Sequence, residues 1–220
     1  MSPAPVFTLI ADHADWLALY KPEGIGMHSE QDEAGIVVLA ERQFATALWP
    51  VHRLDKVTSG ILLLAKNAQA AARLSALFAD HAISKIYLAQ ASGKPGKKQG
   101  WIKGDMEKSR NGSYKLARTS HNPAITRFIS HFDEATGKRL YLLRPFTGKT
   151  HQLRVALKSL GCAIEGDERY GSASDRTYLH AMALRWHDGD GDHVLFCPPA
   201  SGHWAAMPDD WQHPWDLLPS

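Results

Sequence analysis

Five consecutive apolar residues, Ile61-Leu62-Leu63-Leu64-Ala65, follow directly on a loop crowded with charges and hydroxyls, Trp49 to Gly60. A short apolar run entered through glycine reads as a strand anchored in a core. The polar loop is therefore held at one end by a rigid element. Thr58, Ser59 and Gly60 are small, turn-compatible residues suited to keep it tight. Within it, His52-Arg53-Leu54-Asp55 carries polar groups with no evident packing task. A loop that presents a carboxylate beside a guanidinium on a rigid support is a place for chemistry.

The rest of the chain narrows the class. At 220 residues, 44% of them hydrophobic, it can build a sizeable core. No apolar run approaches the roughly 20 residues that span a bilayer, and Met1 to Phe7 lacks the basic-then-apolar order of a secretory signal. Cys162 and Cys197 form no disulfide framework and no zinc set, so a reducing cytoplasm is the expected compartment. The net charge is only +2, yet Lys94, Lys97, Lys98, Lys103, Lys108, Arg110, Lys115 and Arg118 crowd one stretch against Asp105 and Glu107. Such a run is more often a solvated loop than a ligand site. It also supplies the localised positive charge that phosphate contact needs.

Periodicity places the elements. Phe7 to Tyr20 fits short strands ending at the turn Lys21-Pro22-Glu23-Gly24. Asn67 to Ala79 predicts a helix with Asn67 as N-cap. Ser84 to Gln90 predicts a strand with Ile86, Leu88 and Gln90 on one face and Lys85, Tyr87 and Ala89 on the other. Residues 92–118 read as a long excursion containing a hairpin. Ala124 to Phe132 and Arg139 to Phe146 read as strands joined near Thr136-Gly137, and Thr150 opens a helix stopped by Gly161. The segment after Cys197 reads as an irregular wrap, with Trp204, Trp211 and Trp215 as packing. Strands dominate with a few helices between them: an α+β domain on a mixed, largely antiparallel sheet with flanking helices.

Three side chains stand out as candidates for chemistry. Asp55 in isolation would be a turn former or helix cap. Arg154, beside Leu153 near the start of the second helix, belongs at the border of the buried face, where an arginine usually snorkels. Tyr87 alone is a half-buried strand tyrosine, although in a nucleotide pocket it could stack on a base and handle a proton. A carboxylate covered by a base loses its water, which favours the neutral form, and a bidentate arginine opposes that.

Leu19 to His28, Val51 to Ala65, Ser84 to Ala89, Gly148 to Val155, Gly166 to Gly171 and Leu179 to Ala181 together, in this order, resemble the motifs of the RluA-type RNA pseudouridine synthases. The resemblance implies that uridine within RNA is isomerised to pseudouridine. Asp55 then corresponds to the essential aspartate, Tyr87 to the tyrosine thought to act as base, and Arg154 to the arginine that pairs with the aspartate. Arg53 corresponds to the residue that fills the space left by a flipped base. His52, Lys149 and Leu153 fall in the same motifs and are expected to bind substrate. The family commonly has arginine where this chain has Lys149, which keeps the charge but loses the planar fork.

The reaction involves no redox change, so no cofactor is expected, and no dinucleotide fingerprint or P-loop occurs. None of the twelve histidines forms a His-Glu-x-x-His pair, so no metal is expected either. His52, His151 and His180 are read as hydrogen-bonded supports of the site. The expected partner is a stem-loop of ribosomal or transfer RNA, with no DNA and no membrane, and the chain is expected to be a monomer. One catalytic domain is expected over residues 1–220, without a separate N-terminal RNA-binding module. The competing class is a silent RNA-binding scaffold of the same fold, which the joint presence of Asp55, Tyr87 and Arg154 opposes. A hydrolase using Asp55 with His52 would lack a second carboxylate.

Overall fold

The computed structural model describes residues 6–29 and 33–219, so most of the segment inspected for a signal, Met1 to Pro5, lies outside it. In chain order the elements are β1 (Leu9–Asp12), β2 (Trp16–Lys21), α1 (Ile36–Phe44), β3 (Trp49–Pro50), β4 (Ser59–Ala65), α2 (Ala68–Ala79) and β5 (Ser84–Ala91). They continue with β6 (Gln99–Gly104), β7 (Met106–Lys108), β8 (Tyr114–Leu116), β9 (Ala124–Asp133), β10 (Lys138–Pro145), α3 (Gln152–Ser159), β11 (Leu179–Asp188), β12 (Gly191–Phe196) and α4 (Pro214–Leu217). The chain divides into two compact units. One runs to Ile83 and takes in Ala181–Pro199; the other comprises Ser84–His180 and the chain from Ala200.

In the first unit, β1, β2, β4 and β11 lie side by side, with β12 against β11 and β3 against β4. All seven residues of β4 are buried, and its side chains divide between two cores. Ile61, Leu63 and Ala65 pack with Ala70 and Leu74 of α2. Leu62 and Leu64 pack with Ile36 and Ala40 of α1. A strand covered on both faces needs apolar residues at every position, and this accounts for the unbroken run. Asn67 caps α2 as its sequence predicts, its side chain accepting the Ala70 N–H at 2.8 Å.

The sequence reading contains no helix at α1. Ile36-Val37-Val38 is a β-branched start that favours a strand locally. Its N-cap, Gly35, offers no side-chain acceptor, the first turn holds no acidic residue, and the left-handed C-cap is Ala45 rather than glycine. Burial of Ile36 and Ala40 against β4 overrides that weak local preference.

In the second unit, β5, β10, β9 and β6 form an antiparallel sheet in that spatial order. Leu153, Ala156 and Leu157 of α3 pack onto Ala89, Ala91, Phe128, Tyr141 and Leu143, and Tyr87 joins the same cluster. The expected hairpin in 92–118 is β7–β8, while β6 is the outer strand beside β9. On β6, Trp101 is 42% exposed, with Lys103 Nζ at 4.7 Å and Arg127 Cζ at 5.6 Å from its ring.

The expected wrap after Cys197 is fastened by buried polar side chains. Gln90 Oε1 accepts the Ala205 N–H at 2.7 Å and Gln90 Nε2 donates to the His203 carbonyl at 3.2 Å. Arg144 donates to the Leu218 carbonyl at 2.6 Å. Trp211 is buried, Trp204 packs against the α3 core, and Trp215 faces the Arg144 guanidinium at 5.8 Å.

Candidate active site

In the first unit, Asp55 lies half-buried on the loop between β3 and β4, with Leu54 buried and Arg53 exposed beside it. The loop closes through a turn in which the Thr58 N–H donates to the Asp55 carbonyl at 2.9 Å. Lys21, at the end of β2, is fully buried. Its ammonium donates to the carbonyls of Pro22 at 2.9 Å, Lys56 at 3.2 Å and Thr58 at 2.8 Å. One cation thereby fixes the backbone on the C-terminal side of Asp55. Burial pushes the Lys21 pKa from 10.5 down to about 8, against the opposing pull of the Glu23 and Asp55 charges.

His52 holds the other side of the loop. Its Nε2 accepts the Leu63 N–H at 2.9 Å, and its ring stacks on Phe78 at 4.4 Å and 14°. An accepting Nε2 carries no proton, so the neutral ring is protonated at Nδ1. At the loop's end, Gly60 has φ of 115°, and a Cβ there would stand 2.2 Å from the Ala181 carbonyl oxygen. Only glycine supplies that backbone without a clash.

In the second unit, Tyr87 is half-buried and shares its core with Leu153. Arg154 differs from its expected border position: it is 5% exposed. Asp167 is the reason. Arg154 Nε and Nη2 each donate at 2.7 Å to a different carboxylate oxygen of Asp167, which is itself wholly buried. A fork-to-fork pair with its lone pairs filled makes burial of both charges tolerable. Asp167 Oδ1 also accepts the N–H groups of Arg169 at 3.2 Å and Tyr170 at 3.3 Å. The Tyr170 ring lies 5.1 Å from the Arg154 guanidinium.

The turn before α3 is equally well tied. His151 takes a left-handed φ of 58°, so the helix starts at Gln152 rather than at Thr150. Its Nδ1 meets the Tyr170 hydroxyl at 2.9 Å. Buried Gln152 accepts the Lys149 N–H at 3.0 Å and the Thr147 hydroxyl at 2.8 Å, and donates to the Ile125 carbonyl at 3.0 Å and Thr126 Oγ1 at 3.1 Å. The Lys149 ammonium donates to Asn122 Oδ1 at 2.7 Å on the surface. His180 is wholly buried, 6.4 Å from the Trp204 ring. Among the described residues, no group of three or more His, Cys, Asp or Glu side chains is arranged to hold a metal ion.

One unit thus gathers His52, Arg53 and Asp55 on a single braced loop, and the other gathers Tyr87, Lys149, Leu153 and Arg154 around the start of α3. Sequence reasoning assigned no role to Lys21, Gln152, Asp167 or Tyr170, although all four lie within the quoted motifs. A lysine flanked by apolar strand residues and a proline was the available signal for Lys21. Nothing local marks Asp167 as the partner of an arginine thirteen residues earlier.

A family model described as RNA pseudouridylate synthase matches residues 15–159. An uncharacterized RNA pseudouridine synthase of Haemophilus influenzae is 48% identical over 204 residues, which cover 91% of each chain. Ribosomal large subunit pseudouridine synthase C of Rickettsia bellii is 40% identical over 139 residues, covering 61% of this chain and 46% of that protein. In three dimensions the fold is similar to that of human RNA pseudouridylate synthase domain containing 1. The TM-score is 0.80 at 24% identity, over 100% of this chain and 98% of the other. This similarity bears out the α+β class, with a largely antiparallel sheet and flanking helices.

Proposed function

This chain belongs to the RNA pseudouridine synthase family of isomerases, and from that premise we propose that it converts uridine to pseudouridine in large-subunit ribosomal RNA, with Asp55 as its essential carboxylate. The observation that carries the role of Asp55 is the bracing of its loop. Lys21 fastens the backbone after it, while His52 and Leu54 hold the residues before it. Such investment in the placement of one half-buried carboxylate suits a group that must meet the sugar of a substrate.

The reaction breaks the bond from the sugar to the ring nitrogen, turns the uracil over, and joins a ring carbon to the sugar. Asp55 acts at the sugar, as nucleophile on the anomeric carbon or as base on the neighbouring proton. Tyr87 is the candidate base for the proton that leaves the fifth ring carbon, its own hydroxyl proton being passed on to water as it accepts, so that the phenol stays neutral. Arg154, held by Asp167, is the candidate for the arginine that opposes neutralisation of the carboxylate when the base excludes water. Flipping the target base costs a few kcal/mol, which Arg53, exposed on the Asp55 loop, offsets by filling the vacated stack. Lys149 contributes charge toward phosphate without the directional fork of an arginine.

The choice of ribosomal RNA rests on the name of the Rickettsia relative, of which this chain covers 46%. The test is tritium release from RNA labelled at the fifth carbon of uracil, in ribosomal and transfer RNA pools lacking the modification. Wild type should release tritium from the ribosomal pool and Asp55→Ala from neither. Release from transfer RNA alone would move the target. Binding without release by wild type would favour the silent scaffold, and full turnover by Asp55→Asn would sink the mechanism.

A further inference from the structure

The β7–β8 hairpin leans on α3 and leaves a cleft of about 520 Å³ lined by Tyr114, Lys115, Lys158, Ser159, Arg169 and Tyr170, among others. The lining has three cationic side chains and no carboxylate. Two of the three have charge to spare. Lys158 makes no ion pair among the described residues, and Arg169 uses one nitrogen, Nη1, on the Asn111 carbonyl. Lys115 faces Glu107 at 3.0 Å, but both are well exposed, and a pair of that kind is worth little and is readily exchanged.

The walls are fixed in advance. The Tyr114 N–H donates to the Tyr170 hydroxyl at 3.0 Å, which ties the hairpin to the turn that holds Asp167. At the hairpin's tip, Asn111 and Gly112 both take left-handed φ values, 54° and 68°. A Cβ on Gly112 would stand 3.1 Å from Arg169 Nη1, so the backbone there is fitted closely around the guanidinium. A solvated loop needs neither fastening. A pocket for a polyanion benefits from both, because ordering costs are met before binding.

We propose that this cleft is a subsite for the RNA chain, in which Lys115, Lys158 and Arg169 take a backbone phosphate and its nucleotide lies against Tyr114. The volume exceeds that of a phosphate alone, and an aromatic ring beside cations is what a single-stranded nucleotide recognises. The assignment rests on the proposed action on RNA, and adds where a strand beyond the target uridine is gripped. Because the Tyr170 ring faces the Arg154 guanidinium, the cleft lies one side chain away from Arg154.

The test uses the full chain with Lys115→Ala/Lys158→Ala, and Lys158→Arg as the conservative variant. A labelled single-stranded oligouridylate and the modifiable RNA are titrated across a salt series, and tritium release gives kcat and KM. We expect the double variant to bind about tenfold more weakly, with a salt slope smaller by roughly 0.7 for each lysine removed. KM should rise with kcat unchanged, the unfolding midpoint should hold, and Lys158→Arg should keep the wild-type affinity. Unaltered affinity and slope in an active double variant would overturn the subsite and leave the isomerase reading intact. Weakened binding alongside a wild type that releases no tritium would uphold the subsite and remove that reading. Uridine monophosphate or inorganic phosphate binding the cleft as tightly as the oligomer would make it a mononucleotide or anion site, and would also overturn the proposal.

Discussion

On the proposed mechanism the Asp55 carboxylate takes its position from the backbone beneath it, and an amine holds that backbone. Lys21 spends its three donors on three carbonyls. A neutral amine has only two N–H donors, so deprotonation near pH 8 releases one carbonyl. The sign for stability runs the other way. Between pH 8 and 10.5 the unfolded chain keeps a proton that the native chain has shed, so this group makes stability rise with pH across that window. We predict that kcat falls above about pH 8 while the unfolding midpoint does not fall with it. Lys21→Met should lower kcat by roughly 10²-fold at neutral pH, as displacement of a catalytic group by about an ångström would. RNA affinity should be unchanged. Single-turnover rates with unaltered binding would support this, and a wild-type rate constant in Lys21→Met would refute it.

At the scale of elements, the start of α3 depends on Gln152, whose side chain makes four hydrogen bonds to the preceding turn and to β9. Gln152→Leu keeps much of the volume and leaves those partners unmatched in a buried setting. We expect a loss of about 2–4 kcal/mol, larger than one hydrogen bond would cost because several groups are stranded together. Urea denaturation would measure it; a change under about 0.5 kcal/mol would mean that water replaces the side chain. The same elements show how far the sequence could be read. The α2 cap, the β9–β10 pair and the Gly161 stop were legible because each is written in adjacent residues. Helix α1 was not, because its stability comes from Leu62 and Leu64 across the sheet. The Asp55 loop stood out by composition, whereas its anchor Lys21 and the Arg154 partner Asp167 are choices made by tertiary contact. Burial of Arg154 could not be inferred without that partner.

For the molecule as a whole, a net charge of +2 gives no general attraction to a polyanion, so RNA affinity has to come from local patches. Lys97, Lys98 and Lys103 are exposed along β6 and the segment leading into it. Replacing all three with alanine should flatten the salt dependence of RNA binding by roughly two counterions, while leaving the unfolding midpoint in place. Fluorescence anisotropy at a series of salt concentrations would check this, and an unchanged slope would assign those lysines to solubility alone.

The position of Trp101 has an optical consequence. Of the seven tryptophans, Trp16, Trp186 and Trp211 are at most 4% exposed, whereas Trp101 is 42% and Trp49 37% exposed, and of these two Trp101 has cations over its ring. With Lys103 and Arg127 beside its ring, the indole sits in a cationic field on the β6 edge. Iodide, drawn there by charge, should quench the long-wavelength part of the emission first. An RNA strand seated on that edge should both dim the indole and shield it from the quencher, which gives the native chain a chromophore for following its own encounters without any attached dye.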